Sequence, residues 1–379
     1  MSGKKQHYVP HFLQTGFRSR PNAADDAPRA WLYRRGTAPA DAALSDVGHE
    51  AWFYTFRRGG ETIECADGAI SEAERAWMSG LIRQLREAAS FDLVSSHADI
   101  AHLMSHLVVR NRAIWKFIEA PAAPLFDKLR EAARDRAWLA AALKRLLAEH
   151  RGFFEEALSA IFPGADIPSL LAQAETALAT GVAPAPPEGA VAVLSHLQDA
   201  IAPHVLKVFR VHALVEGLSN PSEYKLFTGC SFKVVRNTEG RLIQGDTPVV
   251  FHRADGLGFT PLPCEGEDFD YAYLPLSPSV VLIASKGGEL ESWDALRRAS
   301  AACSHTYFIA AERHPDFSEL ADSIASSFPA PSSQQLDRMF TDVMEEARSL
   351  DLDDPDLRRA IEAILGGTSK STPPRMTKA

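Results

Sequence analysis

The hydrophobic pattern of the chain changes near Glu223, and this change constrains the fold more than any other feature. Before it, apolar residues recur every three or four positions over long stretches, which predicts amphipathic helices. After it, short β-branched and aromatic runs alternate with turn residues such as Asp255-Gly256 and Gly287-Gly288, which predicts mostly antiparallel strands. The sequence therefore predicts an α+β fold, with an N-terminal small hairpin plus helices, a helical middle, and a C-terminal mostly antiparallel sheet with flanking helices.

Several of the predicted helices have recognisable ends. Ser71 and Glu74 have the spacing of a capping box, which predicts a helix that begins near Ser71. The next predicted helix runs from about residue 99 to residue 119 and is ended by Pro121. Further helices are predicted at about 125–160, from Pro168, and at 191–218, 292–301 and 333–365.

Strand composition marks two parts of the chain. Near the N terminus, Trp31–Tyr33 and Trp52–Phe56 are predicted strands, and the tight turn Gly59-Gly60 leads into Thr62-Ile63 as a hairpin partner. In the C-terminal part, the predicted strands contain residues 232–235, 242–243, 249–251, 272–274, 280–283 and 306–309. The second group is large enough to form the main sheet.

A proline-rich segment at residues 181–190 divides the chain into two predicted domains. Residues 1–180 form the N-terminal hairpin and helical region, and residues 191–365 form a helix, the β-rich region and C-terminal helices. A chain of 379 residues is long enough for two medium domains of this kind. The polar tail at 366–379 is predicted to be disordered.

The charge balance limits the classes of partner. Hydrophobic residues make up 46% of the chain, which supports a sizeable core. The net charge is -9, which excludes a globally basic nucleic-acid-binding protein and leaves only a local basic groove for that purpose. The longest apolar run, Val280–Ala284, is too short to cross a bilayer, so no membrane association is predicted.

The cysteines and the N terminus indicate the compartment. The four cysteines lie far apart without Cys-x-x-Cys spacing, which predicts free, buried thiols in a reducing cytosol. The first residues lack the apolar region of a secretory signal. The predicted location is cytoplasmic.

The N terminus contains an unusual polar and aromatic run, Gln-His-Tyr-Val-Pro at residues 6–10. Chain ends usually fray, so ordering this run requires burial of Tyr8, Phe12 and Phe17. A histidine held beside that anchor then faces a cleft. The run resembles the opening of a bacterial family, domain of unknown function 4238, whose members start close to Lys-x-Gln-His-Tyr-Val-Pro-x-Phe.

Further segments are similar to motifs of the same family, and they extend from residue 4 to about residue 310. Arg110 matches an arginine that the family places late in a helix, although Arg112 stands where the family often has proline. Gln244–Pro248 is similar to a Thr-Ser-Asp-Asn-Pro motif, from which Gly245 and Thr247 depart, and Leu274–Pro278 matches a Pro-Leu-Ser-Pro motif. Ile63-Glu64 and Ser71–Glu74 match a third segment, and the resemblance implies no particular reaction because the family is uncharacterised.

Three of these residues carry side chains suited to hydrolysis of a phosphate ester. His7 can act as a general base or metal ligand near neutral pH. Asp246 follows a predicted strand and can project into a cleft as a base or metal ligand. Arg110 offers a planar fork for a phosphate group. We therefore expect His7, Arg110 and Asp246 to converge in a phosphoesterase or nuclease-like hydrolase site, with a divalent metal as the candidate cofactor.

A second interpretation stays open at this point. An aspartate ahead of x-Pro commonly caps a turn by accepting hydrogen bonds from backbone N–H groups, so Asp246 fits a structural role. His7 fits a role in fixing the N terminus, and Glu74 already has a capping role. With these roles the protein is a non-enzymatic binding or protein-interaction module.

Other candidate motifs are weaker. His102 and His106 are four residues apart on the predicted helix, with Asp99 and Arg110 on the same polar stripe, a spacing that can bind a metal. The glutamate of a zinc-protease helix is missing between them, which favours a solvated face or a polar seam. Ser277-Pro278 lacks a nucleophile elbow and predicts a turn between strands. No phosphate-binding glycine loop occurs, so nucleotide cofactors have no support.

Overall fold

The computed structural model describes residues 5–19, 27–58, 61–87, 93, 95–112, 115–116, 124, 127–128, 130–131, 134–149, 151–152, 154–155, 159, 164–180, 214, 225–227, 229–262 and 268–328. Several predictions lie outside these residues: the tight turn at Gly59-Gly60, parts of the helix at 125–160, the linker at 181–190, the helix at 191–218 apart from Leu214, the helix at 333–365 and the disordered tail. The chain divides into two compact units. The first contains Met1–Arg57, Glu61–Ile118 and Val208–Ala330, and the second contains Arg58–Gly60, Glu119–Lys207 and Pro331–Ala379.

The described strands are short except in the C-terminal part of the first unit. In chain order they are β1 (Lys5–His7), β2 (Arg29–Tyr33), β3 (Ala40–Ala43), β4 (His49–Ala51), β5 (Thr55–Arg58), β6 (Glu61–Cys65), β7 (Ser231–Arg236), β8 (Gln244–Gly245), β9 (Val250–Arg253), β10 (Phe259–Thr260), β11 (Phe269–Ser277), β12 (Val280–Ser285) and β13 (Phe308–Ala310).

The described helices lie between and after these strands along the chain. In chain order they are α1 (His11–Gln14), α2 (Asp67–Ala73), α3 (Ser79–Glu87), α4 (His97–Arg110), α5 (Arg136–Glu149), α6 (Ile167–Ala179), α7 (Trp293–Ala302) and α8 (Pro315–Ala321). A π-helical turn at Glu74–Met78 joins α2 to α3, and a 3-10 turn at Thr15–Phe17 follows α1. No described helix has the length and apolar composition that crossing a membrane requires.

The main sheet has five antiparallel strands in the order β10-β9-β11-β12-β7. A second sheet has the order β3-β2-β13-β8 and is also antiparallel. The tight turn at Pro278-Ser279 joins β11 to β12, one residue later than the turn predicted at Ser277-Pro278. These sheets, together with the helices, confirm the predicted α+β fold and its C-terminal, mostly antiparallel sheet.

Strand β11 is buried along most of its length because both faces of the main sheet are covered. Tyr271 and Tyr273 point into one apolar cluster, which also contains Tyr8, Phe17 and Tyr54. The alternating residues Ala272, Leu274 and Leu276 point into a second cluster, which α3 and α4 complete with Leu81, Leu85, Leu103 and Leu107. This alternation explains why the strand is an almost continuous apolar run in the sequence.

Two helix boundaries differ from the predictions. The helix predicted to begin at Ser71 begins at Asp67 instead, with no side-chain hydrogen bond at its N-cap, Ala66. The capping-box prediction is wrong because the Glu74 carboxylate pairs with Arg110. The helix predicted at 99–119 is α4, which ends at Arg110 because Asn111 takes an extended backbone conformation.

The second unit contains a pair of packed helices, α5 and α6. Their contact buries five apolar residues, namely Ala140, Leu147, Ile167, Leu171 and Leu178. The Asp166 carboxylate caps α6 by accepting a hydrogen bond from the Ser169 N–H at 3.2 Å. Pro168 lies in the first turn, where a missing N–H costs nothing, as predicted.

Candidate functional site

Strand β1 carries the first residues of the N-terminal motif and pairs with β4. The register places Gln6 opposite Glu50 and His7 opposite His49. Both polar atoms of the Gln6 side chain form hydrogen bonds. The amide nitrogen donates to the Thr55 hydroxyl at 2.7 Å, and the carbonyl oxygen accepts from the Tyr54 N–H at 2.6 Å. Gln6 therefore fastens the chain terminus to the segment ahead of β5.

The turn after β1 is fixed by a second glutamine. The Gln14 side-chain amide donates to the carbonyl oxygens of Val9 at 2.8 Å and Val47 at 3.1 Å. Tyr8 and Phe17 are buried in the core, as the sequence predicted, and Phe12 is partly buried against it. The motif is thus ordered by burial and by hydrogen bonds to its own backbone.

Arg86 clamps the end of α1 to the main sheet. Its guanidinium donates to the carbonyl oxygens of Phe12 at 2.9 Å, Leu13 at 2.6 Å and Leu276 at 2.6 Å. A Cβ atom on Gly16 would lie 2.1 Å from the Leu276 carbonyl oxygen, so the two backbones approach as closely as glycine allows. The N-terminal motif and the Pro-Leu-Ser-Pro segment are therefore in direct contact.

Arg110 clamps the beginning of the same motif. Its guanidinium donates to the His7 carbonyl oxygen, to the Tyr54 hydroxyl and to the Glu74 carboxylate. The side chain is 3% exposed, and Tyr54 also donates to the His7 carbonyl oxygen at 2.8 Å. His7 and Arg110 do meet, but they meet through the His7 backbone, and the guanidinium fork is occupied by protein groups.

Three imidazoles gather on the far side of the motif, and we call His7, His11 and His49 the histidine cluster. The ring centroid of His7 lies 5.5 Å from that of His49 and 6.4 Å from that of His11. Burial, followed by the neighbouring His49 and His11, lowers the pKa of His7 to about 4. Burial also lowers the pKa of His11 and of His49. The cluster is therefore uncharged at neutral pH.

His7 has one ring nitrogen with a partner and one without. Its hydrogen bond to the backbone of Ser45 raises the pKa and opposes the effect of burial. Its Nε2 atom is buried and has no hydrogen-bond partner among the described residues. Because the ring is unprotonated at neutral pH, one nitrogen lone pair of His7 is available to accept a proton.

Asp246 organises a different loop. Its carboxylate accepts hydrogen bonds from the His305 N–H at 2.6 Å, the Thr306 N–H at 2.8 Å and the Thr306 hydroxyl at 2.5 Å. The residue is 2% exposed, and burial raises its pKa despite these donors. A Cβ atom on Gly245 would lie 2.3 Å from the Ser304 Oγ atom, which accounts for glycine at this departure from the family motif. The carboxylate caps a turn, although the turn belongs to residues far along the chain.

The loop around Asp246 contains several buried polar atoms without partners among the described residues. They are the Gln244 Oε1 atom, the Thr247 hydroxyl and the His305 Nδ1 atom. Burial lowers the pKa of His305, and the Asp246 charge opposes that change. Unsatisfied buried polar groups are rare in folded proteins, so their concentration here marks the loop as a second candidate site.

The histidine cluster and the Asp246 loop meet at Tyr8. Burial and then the Asp246 charge raise the pKa of Tyr8, the residue after His7, to about 12. A Cβ atom on Gly48, the residue before His49, would lie 2.7 Å from the Tyr307 hydroxyl. In the part of the chain that the structure describes, no hydrogen bond joins the His7 ring to the Asp246 carboxylate. The expected trio therefore lies in adjoining regions linked by Tyr8.

The candidate metal residues on α4 take other positions. The His106 ring is 0% exposed and neither of its nitrogens has a hydrogen-bond partner among the described residues, so the predicted solvated face is wrong at this residue. The His102 ring lies on Trp77, with ring centroids 5.0 Å apart. Within the described ranges, no group of three or more His, Cys, Asp or Glu residues is arranged to hold a metal ion.

Sequence reasoning missed two residues of these sites. His49 reaches His7 through the pairing of β4 with β1, and His305 reaches Asp246 through the turn that the aspartate caps. Neither residue lies in a matched motif. A signal for His49 was its place in a short polar segment between two buried aromatic strands, but only the register of β1 selects it.

Comparison with known proteins gives a family and no activity. The family model described as "Protein of unknown function (DUF4238)" matches residues 5–292, which include both arginine clamps, the histidine cluster and Asp246. No curated protein and no solved structure matches the chain. The match covers well over half of the chain, so the protein belongs to the DUF4238 family.

Proposed function

We propose that this protein is a hydrolase of the phosphoesterase or nuclease type, in which His7 acts as the general base. One observation carries the proposal: the His7 Nε2 atom is buried and has no hydrogen-bond partner among the described residues, and the Nδ1 atom of the neighbouring His49 has none either. The Gln6 side chain and the Gln14 amide nitrogen are held by hydrogen bonds, although the Gln14 Oε1 atom is also without a described partner. Packing accounts for Gln6, Tyr8 and Gln14, but it does not account for an imidazole with a free lone pair. Perturbed, incompletely bonded histidines concentrate at functional sites.

The chemistry assigned to His7 is removal of a proton from an attacking water. Its lowered pKa keeps the ring unprotonated at neutral pH, and a pKa of about 4 also makes it a weaker base than an ordinary histidine. The positive charge of Arg110 contributes to that lowering, and its bonds to the His7 carbonyl oxygen fix the backbone that carries the ring. Arg110 is therefore proposed as a positioning residue, because a phosphate contact would require it to release Glu74 or Tyr54.

Asp246 has a second positioning role in the proposal. Its carboxylate holds the backbone of His305 and Thr306, and the loop so formed adjoins Tyr8.

The test is a hydrolysis screen on pure protein with aryl phosphate monoesters and diesters and with single-stranded RNA and DNA. Each substrate is measured with Mg²⁺, with Mn²⁺ and with a chelator. We expect His7→Gln to lower activity by about 100-fold or more, the typical contribution of a general base, with little change in melting temperature. The matched control is His252→Gln, which changes a half-buried histidine on β9 and is expected to keep wild-type activity.

Two results would overturn the proposal. One is the absence of wild-type turnover on every substrate and metal condition. The other is equal activity of the His7→Gln and wild-type proteins.

A non-enzymatic binding module is the second candidate, and a specific observation favours it. The Arg110 and Asp246 side chains are each saturated by protein groups, so neither presents a free charge to a substrate. This function predicts saturable ligand binding without turnover, and the same screen distinguishes the two candidates.

A further inference from the structure

A cavity of about 1400 Å³ opens in the first unit, and its walls include residues of the N-terminal motif and of the Pro-Leu-Ser-Pro segment. One wall is formed by the π-helical turn and α3, and a second by the segment that follows α1. The remaining walls are the loop at 238–242 and Ser277-Pro278. The cavity exceeds the roughly 300–1,000 Å³ of ordinary small-molecule pockets, so it has room for an extended ligand.

The cavity wall is rich in arginine. Five arginines line it, with three glutamates and no lysine or aspartate. The whole chain carries a net charge of -9, so this excess of positive charge is a local feature. Such a concentration attracts anions, and guanidinium forks match phosphate oxygens in pairs.

Three of the five arginines have no ion pair or hydrogen bond among the described residues. They are Arg18, Arg75 and Arg83, all of which are exposed. The other two are occupied: Arg86 by backbone carbonyl groups, and Arg241 by the Glu312 carboxylate at 3.2 Å. The guanidiniums of Arg18, Arg75 and Arg83 therefore line the cavity without a described protein partner.

Like charges are also left close together in the cavity. Burial and the nearby Arg18 lower the pKa of Arg86 to about 10, while Glu87 opposes the change. Arg75, Ser79 and Arg83 recur every four residues and line one wall, so two guanidiniums flank a hydroxyl. The five arginines exceed the three lining glutamates by two charges, and a ligand with more than one anionic group balances that excess.

We propose that this cavity binds a ligand that carries two or more phosphate groups. Arg75 from the π-helical turn and Arg83 from α3 hold one part of the ligand. Arg18 holds another part from the segment that follows α1, and the hydroxyls of Ser79 and Ser277 donate between them. The shared chemistry has two sources, a free polyphosphate-bearing small molecule or a nucleic-acid strand. The inference does not require hydrolysis at His7, because binding is measured without turnover.

The experiment measures binding of two probes to the full chain in the presence of a chelator. The first probe is inorganic triphosphate, followed by isothermal titration calorimetry. The second is a labelled single-stranded oligonucleotide of about 12 nucleotides, followed by anisotropy at about 50 mM and 200 mM salt. Binding of triphosphate alone identifies a small-molecule site, and binding of the oligonucleotide identifies a strand-binding site.

The test variant is Arg75→Gln with Arg83→Gln. We expect it to bind the preferred probe about 10-fold more weakly or worse, because both substitutions remove a charge-assisted hydrogen bond to the ligand. The matched control is Arg35→Gln with Arg298→Gln, which removes the same charge from exposed arginines outside the cavity. We expect the control to bind like the wild type.

Two outcomes would overturn the inference. One is the absence of saturable wild-type binding to either probe. The other is an equal loss of affinity in the test and control variants, which would mean that only net charge matters. Circular dichroism on both double variants establishes that any loss does not arise from unfolding.

Discussion

Two groups of arginines in the first unit differ in what they touch. Arg86 and Arg110 donate to backbone carbonyl groups, a hydroxyl and a carboxylate, and they hold the two ends of the N-terminal motif. Arg18, Arg75 and Arg83 are exposed around a cavity and have no partner among the described residues. The same side chain thus stabilises the fold in one group and is available to a ligand in the other.

This difference changes how the family motif is understood. A matched residue can be there because it docks a segment, and Gln6 and Arg110 both have that role, as do Gln14 and Gly16 just after the N-terminal motif. Polar atoms without described partners occur inside matched segments, at His7 and Thr247, and the free guanidiniums of Arg18, Arg75 and Arg83 lie outside those segments. The matched segments therefore identify residues that stabilise the fold more directly than residues that could bind or react with a ligand.

The largest expected effect is on stability when a buried clamp is removed. Arg110→Met leaves the Glu74 carboxylate and the His7 carbonyl oxygen without their donor, and breaking such a pair costs about 3–5 kcal/mol. Chemical denaturation measures the free energy of unfolding. The control Arg83→Met removes an exposed arginine and is expected to stay within about 0.5 kcal/mol of the wild type. Equal losses in the two variants would remove the distinction between the groups.

A smaller effect is expected where the motif docks against β11. Gly16→Ala places a methyl group 2.1 Å from the Leu276 carbonyl oxygen and close to Arg86, and overpacking of this kind costs about 1–3 kcal/mol. Its control is Gly80→Ala, at a helical position with no atom within 4 Å of the new methyl group. Helix propensity predicts that this control gains up to about 1 kcal/mol. A melting temperature for Gly16→Ala at or above that of Gly80→Ala would contradict the close docking.

The smallest effect concerns pH. Burial, with the nearby Arg110 and His102 charges, holds the pKa of His106 well below its ordinary value of 6.5. Below that pH the unfolded chain binds a proton that the folded chain does not, so stability falls as the pH falls. The loss is about 1.4 kcal/mol for each pH unit below about 6.5.

His106→Leu removes this proton uptake, so its stability is expected to fall less than that of the wild type as the pH is lowered. Melting temperatures at several pH values provide the measurement. Ser105→Ala, a buried and non-titrating neighbour on α4, is the control and is expected to keep the wild-type slope. A wild-type slope in His106→Leu would count against a buried neutral histidine at this position.

Local patterns predicted the fold class and most elements of the main sheet. Residues 232–235, 272–274 and 280–283 lie in strands, and Ser292 caps α7, because alternation, turn residues and a capping side chain act over short distances. The prediction at Trp52–Phe56 was right only at its end, since residues 52–54 form a turn and the strand begins at Thr55. Glu74 misled the capping prediction because its partner, Arg110, lies on another helix.

The candidate site was less accessible to sequence reasoning. The motif identified His7 and its buried aromatic anchors, but the partners of Arg110 and Asp246 depend on tertiary contacts 36 to 103 residues away in sequence. The cavity arginines come from α1's following turn, the helices at 74–87 and the loop at 238–242. No spacing rule joins segments that far apart, so the cavity could not be predicted before the fold was known.

The proposed role of His7 requires a ring nitrogen that is unprotonated and has no hydrogen-bond partner. An NMR titration of the His7 ring nitrogens, assigned with the His7→Gln protein, measures this property. We expect a pKa of about 4 and an Nε2 atom that carries no proton at neutral pH. A His7 pKa at or above 6.5, or a protonated Nε2 atom at neutral pH, would contradict it.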